Sequence, residues 1–338
     1  MRRYLLALIA LLVPWVAAPL ASAWAAPSAP EPLGIDLEGY PYPYPVAFLP
    51  LEQDRHPVRM AYMDVAPTGT ANGRAVLLLH GRNFPASYWS GVIAALASAG
   101  FRVIAPDQIG FGKSSKPLGP WSFDRAAEQT AALLDALRLP QVDVLAHSMG
   151  GMLAVRFART YPARVRRLVL EAPLGLEDYR FHVPPVPESR LLQGELSLTA
   201  AEYRHYLKTA YGTTLSDAAL DPFVTLRERI TSSGDFPRWA EAFVATYTAI
   251  WGQPTVHELP LVTAPTLFLV GTRDRTAPGR PYAPPAARDA MGHVADLAAA
   301  LAPTMPDARV QRFDTGHLVH LEAPDAFDRA LLDFLTQP

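Results

Sequence analysis

The chain has 338 residues, half of them hydrophobic, which is enough to bury a large core, and its 30 Lys and Arg against 32 Asp and Glu give a formal charge of −2. No run of basic residues occurs, so there is no electrostatic footprint for nucleic acid. Cysteine is absent, which excludes disulfides, cysteine-ligated zinc and a thiol nucleophile.

Arg2 and Arg3 open a positively charged segment, Leu5 to Val13 is apolar, and Ala21-Ser22-Ala23 or Ala23-Trp24-Ala25 offers small residues to a signal peptidase. This pattern predicts an export signal over residues 1–25 and a periplasmic or secreted mature protein. The apolar run is shorter than the about 20 residues of a membrane span, and no Cys follows for lipid attachment. No stable membrane anchor is therefore expected once the signal is cleaved; the alternative is that the segment stays attached as an uncleaved anchor. Residues 26–45 read as a Pro- and Tyr-rich arm. Its Tyr40-Pro41-Tyr42-Pro43-Tyr44-Pro45 run leads straight into Val46-Ala47-Phe48-Leu49, so the arm is expected to pack against the domain.

Arg59 to Val65 alternates as an edge strand. Four short apolar runs follow, Ala75–Leu79, Val103–Ala105, Val142–Leu145 and Leu168–Leu170, as expected of strands buried on both faces of a parallel sheet. Ala126–Leu139 and Gly151–Thr160 between them carry helical periodicity. Strand–helix alternation of this kind predicts an α/β fold with a mostly parallel, doubly wound sheet. From about Leu174 to Leu261 strand signals stop and helical stretches such as Thr199–Ala210 and Trp239–Trp251 take over. Strands resume at Thr266–Val270 and Ala308–Phe313, and a last helix spans about Pro324–Leu335. Residues 46–173 and 262–338 thus form one core, with residues 174–261 as a helical insertion.

The chemistry centres on Ala146-His147-Ser148-Met149-Gly150-Gly151, between the strand ending at Leu145 and a helix. A serine in a sharp strand-to-helix turn, with small residues two positions away on each side, is held clear of the sheet above a helix N-terminus. Ala146 stands where the usual pattern has Gly, a mild departure. A serine hydroxyl needs a base held by an acid, and in this arrangement the partners follow in the order Ser, Asp or Glu, His. Asp274, after the strand Thr266–Val270, and His317, after the last strand, meet that order at strand ends that converge on one sheet edge. Glu171 is the rival acid and His320 the rival base. His147, adjacent to the serine, is either structural or a pocket residue. Asp107 reads as a turn former. The oxyanion needs two backbone N–H donors. Met149 supplies one and Arg82, in His80-Gly81-Arg82-Asn83-Phe84, the other, with Asn83 as the fallback. His80 is expected to brace that loop. Asn83, Phe84 and His147 are the candidate substrate contacts.

With His80-Gly81, Asp107-Gln108-Ile109-Gly110-Phe111-Gly112-Lys113-Ser114-Ser115-Lys116-Pro117, the serine turn, Gly271 to Asp274, and Gly316-His317 with Glu322-Ala323-Pro324 in hand, the chain resembles the α/β-hydrolase superfamily. Within it the chain looks like the branch of epoxide-hydrolase-like and proline-iminopeptidase-like proteins with a helical cap. These motifs extend over about residues 46 to 336. The resemblance implies that residues 174–261 form a cap over the pocket. Epoxide hydrolases and haloalkane dehalogenases of this fold carry Asp at the turn, so Ser148 argues against both. The expected activity is hydrolysis of an ester-like bond in a small molecule through an acyl-enzyme, with no cofactor and no metal.

Lactones, amides and carbon–carbon bonds beside a carbonyl can pass through the same cycle, and fold does not choose among them. An export signal counts against carbon–carbon hydrolases of intracellular aromatic breakdown. An aminopeptidase would need cap carboxylates, for which Glu177, Asp178, Glu195 and Glu202 are available. Perhydrolase activity could accompany ester hydrolysis, and a binding protein on a hydrolase scaffold is a further alternative. The cap aromatics Tyr203, Tyr206, Phe223, Trp239, Phe243, Tyr247 and Trp251 suggest an apolar pocket. Oligomeric state leaves no trace in the sequence.

Overall fold

A computed structural model describes residues 31–337. The expected signal segment, residues 1–25, and the start of the arm lie outside the described residues. In chain order the main elements are strands β1 (Val46–Gln53), β2 (His56–Val65) and β3 (Ala75–Leu79), helix α1 (Ser90–Ser98), β4 (Arg102–Pro106), α2 (Phe123–Ala136), β5 (Val142–His147), α3 (Met149–Thr160) and β6 (Val165–Glu171). Four helices follow, α4 (Glu188–Ser197), α5 (Ala200–Thr209), α6 (Asp217–Thr231) and α7 (Phe236–Gly252). Then come β7 (Thr266–Gly271), α8 (Pro285–Arg288), α9 (Val294–Leu301), β8 (Ala308–Phe313), α10 (Val319–Glu322) and α11 (Pro324–Thr336). The eight strands form one sheet in the order β1-β2-β4-β3-β5-β6-β7-β8. It is parallel from β4 to β8, with β1 and β2 antiparallel at one side.

The apolar runs account for this architecture. Every residue of β3, β5 and β7 is buried. Alternate side chains go to opposite faces. Leu77, Leu79, Val144 and Phe268 pack with α2, α3 and α9, whereas Val76, Leu78, Leu145 and Leu269 pack with α1 and α11. The sheet is therefore covered on both faces, as the sequence predicts.

One element differs from expectation. Arg59–Val65 is not an edge: it belongs to β2, which β1 covers over most of its length, from Val46 opposite Met63 to Gln53 opposite His56. Pro50 within β1 suits an edge position, since it has no N–H for a further neighbour. The two strands join through Asp54 and Arg55, both in the left-handed region at φ 52° and 64°, a two-residue hairpin of the type I′ kind.

The described part of the arm crosses the molecule. Leu33 and Leu37 are buried against Leu226, Ile230, Phe236 and Ala240 of α6 and α7. Further along, the Tyr42 hydroxyl donates to Asp107 at 2.5 Å, and the Lys113 ammonium donates to the Leu37 carbonyl at 2.9 Å. Asp107 is more than a turn former, because its carboxylate also accepts from the Ala86 and Lys113 N–H groups at 2.7 and 2.8 Å. Among the described residues no helix is long and apolar enough to cross a membrane.

Candidate active site

Strand β5 delivers Ser148 at φ 57°, ψ −121°, a conformation that residues with a side chain rarely adopt and that surrounding bonds must sustain. The Ser148 N–H donates to the Glu171 carbonyl at 3.1 Å, and the Ser148 carbonyl accepts from the Gly151 and Leu174 N–H groups at 2.8 and 3.0 Å. A Cβ at Gly150 would run into the carbonyl oxygens of Leu79 and His80, which is why this side of the turn needs glycine.

The loops after β7 and β8 bring the partners to the serine. His317 Nε2 lies 2.9 Å from Ser148 Oγ, and His317 Nδ1 lies 2.7 Å from Asp274 Oδ2. The other Asp274 oxygen accepts the Thr276 N–H at 2.8 Å, and the His317 N–H donates to the Tyr211 carbonyl at 2.8 Å. All three side chains are buried, Ser148 at 3% exposure and the others at 1% or less. A carboxylate can only accept, so Nδ1 carries the proton and Nε2 is left to receive the serine hydroxyl.

The two rivals are paired with each other. Glu171 Oε1 accepts the His320 backbone N–H at 2.9 Å and His320 Nδ1 at 2.7 Å. Sequence order alone does not separate the two acids or the two bases; in the structure Asp274 pairs with His317 and Glu171 with His320.

Two peptide groups beside the serine, Gly81–Arg82 and Ser148–Met149, have their carbonyls already engaged. The Gly81 carbonyl accepts from His80 Nδ1 at 2.8 Å, while His80 Nε2 accepts the Gln108 N–H at 2.9 Å. Burial pushes His80 below the ordinary histidine range, in keeping with this neutral tautomer. In a trans peptide the N–H points opposite to the carbonyl. His80 therefore aims the Arg82 N–H, and the bonds to the Ser148 carbonyl do the same for the Met149 N–H. The approach is close: a Cβ on Gly81 would lie 3.1 Å from Ser148 Cβ.

A cavity of about 280 Å³ opens on Ser148, walled by the core loops and by α4–α7. Arg82 and Asn83 line it, and so do the cap aromatics Tyr203, Tyr206, Phe243 and Tyr247. Phe84 and His147 do not. Phe84 is buried on Tyr88 and Phe223, facing a smaller neighbouring void, and His147 is fully buried with both ring nitrogens bonded. Both are corrected from substrate contacts to residues behind the cavity wall. Phe223 and Trp239 border only the smaller void, and Trp251 donates its N–H to the Val183 carbonyl. Tyr88 and Thr276 hold site residues by hydrogen bonds, and neither carries a sequence signal.

Of the four cap carboxylates, Glu202 caps α5 with Thr199, Asp178 binds Arg180 and His257, and Glu177 accepts the Gly292 N–H. Glu195 lines the cavity but is bound to Arg227. The Arg82 side chain donates to Thr246 Oγ1 at 2.9 Å and the Phe243 carbonyl at 3.1 Å, and stacks 3.6 Å above the Phe243 ring. Among the described residues it has no carboxylate within 4.0 Å.

The family model for the alpha/beta hydrolase fold matches residues 74–324. The chain belongs to the α/β-hydrolase family. This α/β-hydrolase is 30% identical over 273 residues to a 2-hydroxy-6-oxo-6-phenylhexa-2,4-dienoate hydrolase of Burkholderia cepacia, covering 78% of the chain and 88% of the relative. It is 31% identical over 290 residues to a 2-hydroxy-6-oxononadienedioate/2-hydroxy-6-oxononatrienedioate hydrolase of Burkholderia vietnamiensis, covering 84% and 93%. Among solved structures, a probable hydrolytic enzyme from Pseudomonas aeruginosa superposes with a TM-score of 0.88 at 40% identity, covering 92% of this chain and all of that one. An enol-lactonase from Burkholderia xenovorans, at 22% identity and a TM-score of 0.61 over 83% of this chain and 97% of that one, shares the fold.

Proposed function

We propose that this α/β-hydrolase is an exported serine hydrolase that cleaves an ester-like bond with Ser148 as nucleophile, His317 as base and Asp274 as the acid that orients it. The observation that carries the reading is the continuous chain from Ser148 Oγ to His317 Nε2 at 2.9 Å and from His317 Nδ1 to Asp274 at 2.7 Å. In the cycle, His317 takes the hydroxyl proton as Oγ attacks the carbonyl carbon, and the oxyanion sits between the Arg82 and Met149 N–H groups. Collapse expels the alcohol, which takes the proton from His317. A water activated by the same imidazole then releases the acid and restores Ser148. The mostly apolar cavity of about 280 Å³ favours a small acyl or aryl substrate.

A second reading is cleavage of a carbon–carbon bond beside a carbonyl. Two observations favour it: the names of the relatives from Burkholderia, and the Arg82 guanidinium, which could receive a substrate carboxylate. The aminopeptidase alternative loses support because the cap carboxylates are already engaged.

A screen of purified mature protein over p-nitrophenyl esters, lactones, aminoacyl amides and oxo-dienoates tests the choice. Ester turnover that disappears in Ser148→Ala supports the first reading, and turnover confined to the oxo-dienoates replaces it with the second. A fluorophosphonate probe that labels the wild type and Ser148→Ala alike would favour a binding protein without this chemistry. Export rests on residues 1–25 alone, and a mature protein that begins at Met1 would refute the cleaved signal.

A further inference from the structure

Four segments meet behind the cavity wall: Gly81 on the loop after β3, Tyr88 in the short turn Ala86–Trp89, His147 at the end of β5 and His317 after β8. The Gly81 N–H donates to the Tyr88 hydroxyl at 3.1 Å, that hydroxyl lies 3.0 Å from His147 Nδ1, and His147 Nε2 lies 3.0 Å from the His317 carbonyl. We infer that Tyr88 and His147 are positioning residues that lock the oxyanion loop to the loop carrying the base, through the chain Gly81 N–H to Tyr88 hydroxyl to His147 to His317 carbonyl. The inference rests on the reading of Ser148, His317 and the Arg82 N–H given above.

The direction of every bond follows from chemistry. A carbonyl only accepts, so His147 Nε2 carries a proton. Burial, reinforced by His317 and His320 nearby, holds His147 well below the ordinary histidine range, so the ring is neutral and Nδ1 is an acceptor. The Tyr88 hydroxyl must therefore donate to Nδ1, which leaves its oxygen lone pairs to take the Gly81 N–H. Each donor then has one partner and no alternative orientation. The packing enforces the same arrangement, since a Cβ on Gly81 would lie 2.7 Å from His147 Nδ1. Neither side chain reaches the cavity, with His147 at 0% and Tyr88 at 8% exposure.

This geometry matters for the reaction because the oxyanion forms at the Arg82 N–H while His317 gains its proton. Both events belong to one transition state, and their relative placement governs its energy. The chain ends one residue from the oxyanion donor, at the Gly81 N–H, and on the backbone carbonyl of the residue that carries the base. A neutral His147, with its ring 4.7 Å from that of His317, also adds no like charge when His317 becomes an imidazolium.

The test measures kcat, KM and the affinity of phenylboronic acid, which forms a tetrahedral adduct on an active serine, together with thermal midpoints. Tyr88→Phe is near-isosteric and should lower kcat about tenfold and weaken the boronate by a similar factor, with KM changed less than about threefold. His147→Gln keeps a donor near the Nε2 position and should retain more activity than His147→Leu, which loses both bonds. Adding Tyr88→Phe to His147→Leu should cost little more than His147→Leu alone. Independent, multiplicative losses, effects confined to KM, or a wild-type kcat in Tyr88→Phe would overturn the relay. If His147→Leu does not fold, the same coupling is read from Tyr88→Phe combined with His147→Gln. Hydrolysis that survives Ser148→Ala would sink the functional reading instead. A dead Ser148→Ala beside a fully active Tyr88→Phe would sink the relay alone.

Discussion

Exchange of one atom at Asp274 tests the assignment of the triad acid. Asp274 uses its two oxygens differently: Oδ1 accepts the Thr276 N–H at 2.8 Å and Oδ2 faces His317 Nδ1 at 2.7 Å. In Asp274→Asn the amide oxygen must stay on the Thr276 donor, so the NH₂ turns toward His317. Nδ1 then has to accept, the proton moves to Nε2, and the ring can no longer receive the Ser148 hydroxyl proton. A tautomer error of this kind costs about 10⁴-fold in kcat, equivalent to about 5.5 kcal/mol of transition-state stabilisation. Glu171→Gln differs in kind. The Ser148 N–H bonds to the Glu171 backbone carbonyl, which the change leaves alone, and a glutamine oxygen can still accept the His320 N–H. Its kcat should stay within about tenfold of wild type. Initial rates on a p-nitrophenyl ester, with circular dichroism to confirm folding, decide the matter. An Asp274→Asn enzyme within about tenfold of wild type, or a Glu171→Gln enzyme that loses more than about 10³-fold, would refute the reasoning.

Gly81→Ala should abolish turnover without unfolding the sheet, because the new Cβ would sit 2.7 Å from His147 Nδ1 and 3.1 Å from Ser148 Cβ; retained kcat would disprove the placement of that loop. Lys116 is almost fully buried, with its ammonium on the Gly112 and Ser114 carbonyls, and burial pushes it down to about 8. The unfolded chain keeps this proton up to about 10.4, so the folded state releases it first and stability rises between those values. Relative to Lys116→Met, the wild type should gain about 2 kcal/mol from pH 7 to 9.5 in urea titrations, and parallel pH curves would refute this.

The parts of the fold that were legible are those whose signal is local. Buried parallel strands need continuous apolar runs, and Ala75–Leu79, Val142–Leu145 and Thr266–Val270 lie within β3, β5 and β7. The serine turn needs small residues around Ser148, and Gly150 shows why at the oxygens of Leu79 and His80. What stayed hidden depends on partners far along the chain. The β1–β2 hairpin turns through Asp54 and Arg55 without a glycine, so it leaves no turn signal. Glu171 and His320 are 149 residues apart, and nothing in either segment says that they pair with each other. Tyr88 resembles any core tyrosine until its hydroxyl is found between Gly81 and His147.

On the proposed reading, the choice between an ester and a carbon–carbon bond turns on Arg82, which carries both a backbone N–H and a guanidinium at the cavity. Its N–H is a backbone donor that survives any side-chain change except proline, and its guanidinium is fixed by Thr246 and Phe243 on the cavity wall. An uncharged ester needs the first and has no use for the second. A substrate that ends in a carboxylate uses both, because a charge-assisted bond in a mostly apolar cavity is strong. Arg82→Met should therefore leave neutral p-nitrophenyl esters within about threefold in kcat/KM, whereas a carboxylate-bearing oxo-dienoate, if turned over, should lose about a hundredfold, chiefly through KM. Equal losses on both substrates would mean that the Arg82 side chain serves only to fasten its loop to α7.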